Sequence, residues 1–350
     1  MRIMLISCNR PMFITESVDA FQHRFIQSLR NMLSPDQAGA FILVLANSMQ
    51  DRSLRTGLEN DTESVFRAIR RNMQNDQLVV TDDDRAVLQA LEHAGTGLLT
   101  AWESRKKGGW ELVLNPIRSL RPSRVSSEAF DSVKRPFDDK KFSFNKAFLR
   151  TEILWEGSWQ NTHLRVLYNK FPFAPYHLII VPDPDRRLPQ YLTAEYHELI
   201  WQLLEHQQST WPGLALGYNS LGACASVNQL HFQSFLREDL LPVEQRHWQH
   251  NGGHDPYPVA CLSFDSMQAC WQQLDEYHRS NQPYNLLYRP GRCYLLPRVP
   301  QGSNSVLPRV EGAGWLEMCG VFNVADRTEL ESVSAADLED CLRSLSVSSA

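Results

Sequence analysis

Residues 219–235 read NSLGACASVNQLHFQSF, and the interpretation of the whole chain starts from this stretch. Its second half has the composition of a strand, in which alternate side chains lie on opposite faces of the sheet. One face would then carry three polar side chains, those of Gln229, His231 and Gln233. Such side chains seldom fill a core without partners, so we expect a ligand to cover this face.

Small residues fill the first half of the same stretch. A backbone with small side chains lets a ligand approach closely, and its N–H groups and hydroxyls can cradle a phosphate. We therefore expect the substrate to contact the loop that precedes the strand. The candidate residues in this loop are Asn219, Ser220, Gly222, Ala223 and Ser226.

An imidazole in this setting can act as a nucleophile at neutral pH, provided that one ring nitrogen is held as a donor and the other keeps its lone pair. His231 is the candidate, and its attack on the α-phosphorus of a nucleoside diphosphate derivative would give a nucleotidyl-histidine. Gln233 can donate an amide N–H to the phosphoryl oxygens. A lone histidine in a strand is more often structural, so the small-residue loop and Gln233 decide in favour of the nucleophile. Cationic side chains that could offset phosphate charge are Arg118, Arg121, Arg124 and Lys170, although such side chains more often only solvate the surface.

The composition indicates a folded protein that has neither a nucleic acid nor a membrane as partner. The 350 residues are 43% hydrophobic and 21% charged, which suits one large or two moderate domains. The formal net charge is only -5 and the basic residues are dispersed. Seven cysteines without a CxxC pair argue against a disulfide framework or a thiolate zinc site and favour a reducing cytoplasm. We expect no metal ion and no cofactor.

The pattern of apolar residues divides the chain into three parts. Residues 1–104 are predicted to be mainly helical, with a polar loop at residues 47–64. Residues 105–330 contain short segments rich in aromatic and branched side chains, which predict an antiparallel sheet. Residues 331–350 are predicted to form a helix and a tail. The predicted strands include WELVLN (110–115), KFSFNK (141–146), TEILWEG (151–157), HLRVLYN (163–169) and HLIIVP (177–182).

A strand–helix–strand order occurs twice in the second part. Thr193 can cap a helix that follows HLIIVP and precedes the opening stretch. The segment PVACLSF (258–264), a helix that starts at Ser266 and the hairpin YNLLYRPGRCYLLPR (284–298) repeat this order. We therefore predict an α+β fold with a duplicated core. Its first half-repeat, about residues 140–240, carries the polar triplet and hence the chemistry.

Two segments of this core resemble a known superfamily. YNKFPFAPYHLIIVPD (168–183) and GYNSLGACASVNQLHFQ (217–233) are similar to the histidine-triad superfamily, in the branch that contains galactose-1-phosphate uridylyltransferase and diadenosine tetraphosphate phosphorylase. The resemblance is strongest to GDP-L-galactose and GDP-D-glucose phosphorylases, whose motif is His-x-His-x-Gln. It extends over about residues 105–325, and Gln229 stands where the motif has its first histidine.

The resemblance implies a duplicated histidine-triad-like fold and a phosphorylase activity. His231 is implied as the nucleophile, with a nucleoside diphosphate and a hexose 1-phosphate as products of a GDP-hexose. Gln229 would act through its main-chain carbonyl, which in the family orients the nucleophile. Asn169 is implied to lie near the ribose or phosphates. His177 is implied to lie near the nucleotide, although its position before an apolar strand is equally typical of a residue that anchors a turn.

Other functions remain open at this point. The same triplet could serve a dinucleoside polyphosphate phosphorylase or hydrolase, and Gln229 could mark a protein that binds nucleotides without turning them over. The expected partners are a nucleotide sugar or dinucleoside polyphosphate and inorganic phosphate, and a homodimer is left open. The N-terminal hundred residues could close over the site, mediate dimerisation or brace the sheet.

Overall fold

The computed structural model describes residues 13–78, 80–94, 100–121 and 130–347. The helices are α1 (Val18–Met32), α2 (Ala38–Ser48), α3 (Arg52–Gln74), α4 (Asp82–Ala94), α5 (Pro116–Ser119), α6 (Ala194–Gln207), α7 (Met267–Arg279), α8 (Trp315–Met318), α9 (Arg327–Ser332) and α10 (Ala335–Leu345). The strands are β1 (Glu103–Lys107), β2 (Trp110–Leu114), β3 (Ile153–Trp159), β4 (Thr162–Tyr168), β5 (Leu178–Pro182), β6 (Leu214–Asn219), β7 (Phe232–Leu236), β8 (Leu262–Phe264), β9 (Tyr284–Arg289), β10 (Arg292–Pro297) and β11 (Val321–Val324).

Eight of the described strands form one antiparallel sheet in the order β3-β4-β5-β7-β6-β9-β10-β8. Within it, the units β5–α6–β6–β7 and β8–α7–β9–β10 have the same layout. In each unit the first strand pairs with the last, and the middle strands β6 and β9 pair with each other at the centre. The α+β class is confirmed. The domain boundaries at residues 104 and 330 stay a prediction.

The two faces of this sheet have different neighbours. Alternation along β4, β5 and β7 directs Val166, Ile180 and Phe232 to a face that packs against apolar residues of α1, α6 and α7. The opposite face carries a row of paired residues that crosses four strands. This row consists of Leu167, Ile179, Gln233 and Gly217. A polar side chain therefore lies on the face opposite α1, α6 and α7.

The helical N-terminus is confirmed, and it has its own core. Helices α2, α3 and α4 share a cluster of apolar residues, whereas α1 packs on the main sheet through Phe21, Phe25 and Leu29. The Tyr168 hydroxyl donates a hydrogen bond of 2.8 Å to the Phe25 carbonyl and so joins α1 to β4. The extension is thus packed against the sheet that carries the polar row.

The predicted loop at residues 47–64 is wrong, because most of it belongs to α3. The Asp51 side chain caps this helix by accepting a hydrogen bond of 2.8 Å from the Leu54 N–H. Leu54, Leu58 and Thr62 are buried at helical spacing. A mostly polar segment can form a stable helix when about every fourth residue packs against a neighbouring element, because packing supplies most of the stability of helices in proteins.

Two predicted strands also need correction. Residues 141–146 form turns instead of a strand, and residues 258–264 contribute only the three residues of β8. The backbone N–H of Phe144 donates 2.7 Å to Oε1 of Gln229 rather than to a neighbouring strand. The alternation of Phe142 and Phe144 therefore belongs to an irregular segment that packs on one face of the sheet and does not pair as a strand.

A second, three-stranded sheet completes the described part of the chain. Its order is β1-β2-β11, and β11 runs parallel to β2. Helices α8, α9 and α10 pack around it in a shared apolar cluster. The predicted C-terminal helix corresponds to α10. Among the described helices, none combines the length and the apolar character that a membrane span requires.

Candidate active site

A cavity of about 770 Å³ lies over the face of the large sheet that is opposite α1, α6 and α7. Its floor includes Leu167, Ile179 and Gln233 from the polar row. The N-terminal extension supplies one wall through residues of α2, α4 and the segment between α3 and α4. The wall residues are Gln37, Gly39, Ala40, Thr81, Asp83 and Asp84.

His231 lines this cavity immediately before β7. Its Nδ1 lies 2.7 Å from the main-chain carbonyl oxygen of Gln229. A carbonyl only accepts, so Nδ1 carries the proton and Nε2 keeps its lone pair. No hydrogen bond joins Nε2 to any residue within the described ranges. The ring packs on Phe144, with 5.0 Å between the ring centroids.

The ring of His231 is neutral at physiological pH. Burial lowers its pKa to about 4, and the hydrogen bond to the Gln229 carbonyl offsets only part of this effect. A neutral imidazole with one free lone pair can attack phosphorus without first losing a proton. The site therefore holds the histidine in its nucleophilic form.

Gln190 fixes the backbone of His231 from outside the motif. Its Oε1 accepts a hydrogen bond of 2.9 Å from the His231 N–H, and its Nε2 donates 2.8 Å to the Asn219 carbonyl. The side chain is fully buried. It ties the residue before β7 to the end of β6 where no backbone ladder is formed.

The main-chain carbonyl and the side-chain amide of Gln229 have different roles. Its main-chain carbonyl contacts the His231 ring, as the resemblance implied. Its side chain does not line the cavity: Oε1 accepts from the Phe144 N–H, and Nε2 donates 3.4 Å to the Pro184 carbonyl. Gln229 and His231 therefore do not present neighbouring side chains on one ligand-facing surface, because the strand begins only at Phe232.

Gln233 is oriented by an indole that comes from a distant part of the chain. The Trp315 Nε1–H donates 2.9 Å to the Gln233 Oε1. This leaves the Nε2 amide group of Gln233 as the donor for a ligand. The indole sits over Gly217, where any Cβ would lie 2.2 Å from the Trp315 ring. A glycine at this position is thus a condition for the orientation of Gln233.

Asn219 lines the cavity and organises its floor. Its Oδ1 accepts hydrogen bonds from the Trp315 N–H at 2.8 Å and from the Asn285 Nδ2 at 2.7 Å. The side chain therefore joins β6, β9 and the start of α8. Its remaining donor is the Nδ2 group.

The small-residue loop meets the cavity at one end. Ser226 lines it, and Arg121 donates 3.4 Å to the Ser226 hydroxyl. Ser220, Gly222 and Ala223 do not line it. The Ser220 hydroxyl accepts from Tyr284 N–H, and the loop N–H groups of residues 220, 223, 224 and 225 already donate within the protein. Ser220, Gly222 and Ala223 were expected to bind phosphate, but in the structure they stabilise the loop itself.

His177 and Asn169 lie one behind the other. Asn169 lines the cavity, whereas His177 is fully buried behind it and accepts from the Phe173 N–H at 3.3 Å through Nδ1. The Asn169 Nδ2 lies 3.3 Å from His177 Nε2. Burial, together with the nearby Arg118 guanidinium, holds the pKa of His177 well below its usual value. His177 is thus a neutral support for the cavity wall.

Three of the predicted cationic residues, Lys170, Arg118 and Arg121, line the cavity, and the first two differ in their electrostatic surroundings. Lys170 is paired with Asp84 of α4, with Nζ 2.5 Å from Oδ1. Arg118 donates 3.1 Å to the Phe171 carbonyl and lies over the Phe173 ring at 4.2 Å. Burial lowers the Arg118 pKa to about 10, so the guanidinium stays charged at pH 7. Arg124 lies outside the described residues.

Several functional candidates were not predicted from the sequence. Glu317 lines the cavity with a partly buried carboxyl group, whose pKa is raised by the loss of solvent and whose Oε2 accepts 2.9 Å from the Gly314 N–H. Phe142 and Phe148 are exposed at the rim. The paired phenylalanines in residues 142–148 were a usable signal. The described ranges hold no cluster of histidine, cysteine or carboxylate side chains suited to a metal ion.

Part of this chain is similar in sequence to known GDP-hexose phosphorylases. Residues 105–235 match the family model of the GDPGP1-like N-terminal domain. GDP-D-glucose phosphorylase 1 of Homo sapiens is 34% identical over 146 residues, which are 39% of this chain and 36% of that protein. GDP-L-galactose phosphorylase 2 of Arabidopsis thaliana is 30% identical over 157 residues, which are 40% of this chain and 36% of that protein. The resemblance to this branch is therefore confirmed.

The match is confined to part of each protein. The chain spans 36% of the length of either of these two relatives. Among solved structures, yeast Ap4A phosphorylase Apa2 aligns with 77% of this chain and 95% of its own, at 14% identity and a TM-score of 0.49.

Proposed function

We propose that this chain, whose residues 105–235 match the GDPGP1-like N-terminal domain, transfers a guanylyl group from a GDP-hexose to inorganic phosphate. The products are GDP and a hexose 1-phosphate. The state of His231 carries the proposal: a neutral ring in the cavity wall, with Nδ1 held 2.7 Å from a main-chain carbonyl and the Nε2 lone pair available. The names of the relatives support a GDP-hexose as donor.

In the first half-reaction, Nε2 of His231 bonds to the α-phosphorus of the donor. The bond from this phosphorus to the bridging oxygen breaks, and its electron pair leaves with the hexose 1-phosphate. The ring becomes cationic, and the hydrogen bond from Nδ1–H to the Gln229 carbonyl stabilises that charge. The nucleotide is now held as a covalent guanylyl-histidine.

In the second half-reaction, an oxygen of inorganic phosphate bonds to the same phosphorus. The phosphorus–nitrogen bond breaks, its electron pair returns to Nε2, and GDP leaves. Because the first product departs before the acceptor reacts, the kinetics are ping-pong. The imidazole is regenerated in its starting tautomer.

Charge on the phosphoryl oxygens is met by fixed donors. The Nε2 amide of Gln233 is available because Trp315 occupies its Oε1. The Arg118 guanidinium adds a positive charge that no described carboxylate approaches within salt-bridge distance. Donors held by other protein groups need little reorganisation during the reaction, which is the main source of electrostatic catalysis.

Gln229 supplies no argument for a protein that only binds nucleotides. The family role rests on a carbonyl, and this carbonyl is present at 2.7 Å from the ring. The glutamine side chain is engaged in the wall and does not reach the cavity. Turnover is therefore the function that the geometry favours.

A donor panel tests the proposal. The purified chain is incubated with GDP-D-glucose, GDP-L-galactose, GDP-mannose and diadenosine tetraphosphate, with and without phosphate, and the products are separated by chromatography. We expect equal amounts of GDP and hexose 1-phosphate over many turnovers when phosphate is present, and no GDP and at most one hexose 1-phosphate per chain without it. Turnover of the dinucleotide alone would assign the chain to the other donor class, and nucleotide binding without any product would make it a binding protein.

A further inference from the structure

A second cavity of about 260 Å³ adjoins the first. The wall between them is shared, because Arg118, Gly312 and Glu317 line both cavities. The second cavity extends from this wall toward β11 and α9. A water molecule takes up about 30 Å³ in the liquid, so this cavity could hold several water molecules or one sugar ring in their place.

The lining of the second cavity mixes hydrogen-bonding and apolar groups. Arg309 and Glu329 form an ion pair on its solvent side, and Glu317 contributes a further carboxyl group. Asn115 and Asn323 supply amides. Apolar surface comes from Leu112, Phe322, Val324 and Leu338. Carboxylates and amides around an apolar patch suit the hydroxyls and C–H face of a neutral sugar better than they suit a second anion.

Asn323 lines this cavity and carries an unused donor. Its Oδ1 accepts 3.2 Å from the Asn115 Nδ2, which fixes the orientation of the amide. Its own Nδ2 is buried and has no acceptor among the described residues. A buried N–H without a partner costs free energy, so such a group points to a ligand or an ordered water that accepts from it.

We propose that this second cavity binds the hexose of the donor, with the Asn323 Nδ2 donating to a sugar hydroxyl and Arg118 contacting the β-phosphate at the shared wall. The inference rests on the proposed function: with the α-phosphorus at His231 in the first cavity, the β-phosphate and hexose continue past Arg118. The second cavity then sets which sugars are accepted.

Two variants test the subsite without disturbing the nucleophile. Asn323→Leu removes the donor with little change in size. Gly312→Val narrows the shared wall, and a Cβ at Gly312 meets no atom within 4 Å, so the fold accommodates it. Gly109→Val is the matched control, because a Cβ at Gly109 also meets nothing within 4 Å and Gly109 lines neither cavity.

The readout compares two donors that give the same guanylyl-histidine, GDP-hexose and GDP itself. We expect Asn323→Leu to reduce the efficiency of adduct formation from GDP-hexose about tenfold, as for the loss of one good hydrogen bond, and to leave adduct formation from GDP within about twofold. Gly312→Val, which narrows the shared wall, should reduce adduct formation from GDP-hexose more than adduct formation from GDP. Equal losses for both donors, or no loss for either, would overturn the subsite.

Binding of hexose 1-phosphate separates this inference from the proposed function. Ligand-observed NMR with the unmodified chain should detect the sugar protons, and the signal should be lost in Asn323→Leu and kept in Gly109→Val. If the unmodified chain binds hexose 1-phosphate, Asn323→Leu does not, and neither forms an adduct, the subsite is supported and the proposed transferase activity is rejected. Adduct formation with unchanged sugar binding in Asn323→Leu would do the reverse.

Discussion

The tautomer of His231 is decided by a main-chain atom, which explains how a glutamine can stand at position 229. The Gln229 carbonyl holds Nδ1–H, and the side chain instead closes the turn at Phe144. Every residue type has a main-chain carbonyl, so the identity of residue 229 bears on the wall of the cavity rather than on the tautomer of His231.

Gln229→Ala should separate these two roles. The variant keeps the carbonyl and leaves the Phe144 N–H without its acceptor, so we expect the free energy of unfolding to fall by about 1–3 kcal/mol. The single-turnover rate of the proposed adduct formation by the folded chain should stay within about threefold. Urea denaturation and rapid-quench labelling measure the two quantities. A rate loss beyond a hundredfold with unchanged stability would place the side chain in the chemistry.

The low pKa of His231 predicts a flat pH profile for adduct formation. With a pKa of about 4, the ring stays neutral from pH 8 down to about pH 5.5. We therefore expect the single-turnover rate to change little over this range. NMR of the His231 ring checks the cause directly. A rate that halves near pH 6.5, together with ring titration at that pH, would contradict the burial argument.

At the residue scale, sequence reasoning identified two side chains that line the cavity, His231 and Gln233, but missed the residues that support them. Alternation in a strand is a local pattern, and it placed His231 and Gln233 on the same side. Gln190 and Trp315 act on these residues from 41 and 82 positions away. No periodicity links residues at such distances, so only the folded chain brings them together.

At the scale of elements, the contact between β6 and α8 controls the site. Gly217 pairs with Gln233 in the sheet and lies beneath the Trp315 indole, which orients the Gln233 amide. A strand glycine weakens a sheet unless another group approaches it closely. Here the approaching group is the indole.

Gly217→Ala should displace this indole, since its Cβ would lie 2.2 Å from the ring. We expect a loss of about 1–3 kcal/mol in the free energy of unfolding and a lower rate of adduct formation. Trp315→Phe, which keeps an aromatic ring but lacks the N–H donor, should lower the rate with a smaller loss of stability.

Gly57→Ala is the control for this prediction. Gly57 lies in α3, and a Cβ there meets nothing within 4 Å. Its stability should therefore be equal to or above that of the parent chain. Full activity in both Gly217→Ala and Trp315→Phe would mean that the indole does not position Gln233.

The sequence predicted strands better than it predicted the segments between them. Strands β3, β4 and β5 follow from dense branched and aromatic residues. Residues 141–146 have the same alternation, yet Phe142 and Phe144 line a cavity instead of pairing in a sheet. Period-two patterns report which side chains share a surface, and they do not distinguish a strand from a turn that lies on a sheet.

At the scale of the whole molecule, the N-terminal extension is part of the candidate site. Asp84 of α4 pairs with Lys170 at 2.5 Å, and Gly39 of α2 lies beside both. The sequence left three roles open for the extension, and the structure gives it a wall of the cavity. Helical periodicity could predict α1 and α4, but not the surface against which they pack.

Buried histidines should make the folded chain sensitive to acid. Burial lowers the pKa of five of them in the described part of the chain. They are His177, His197, His231, His250 and His278. The unfolded chain binds protons at these residues near pH 6.5, whereas the folded chain excludes them until lower pH.

Stability should therefore fall as the pH drops below about 6.5. Each proton taken up only by the unfolded chain contributes up to about 1.4 kcal/mol per pH unit. The partly buried Glu317 carboxyl has a raised pKa and acts in the opposite direction, but it is one group against several. Urea denaturation at pH 7, 6 and 5 measures the slope. A free energy of unfolding that is constant or rises toward pH 5 would contradict this prediction.

The most direct test of the account is to find the atom that becomes guanylylated. The chain is incubated with GDP-D-glucose in the absence of phosphate, quenched at alkaline pH, digested and analysed by mass spectrometry. The account predicts one guanylyl group on the peptide that contains His231, absent from His231→Asn and released as GDP when phosphate is added. An adduct on another residue, or the same labelling in His231→Asn, would contradict it.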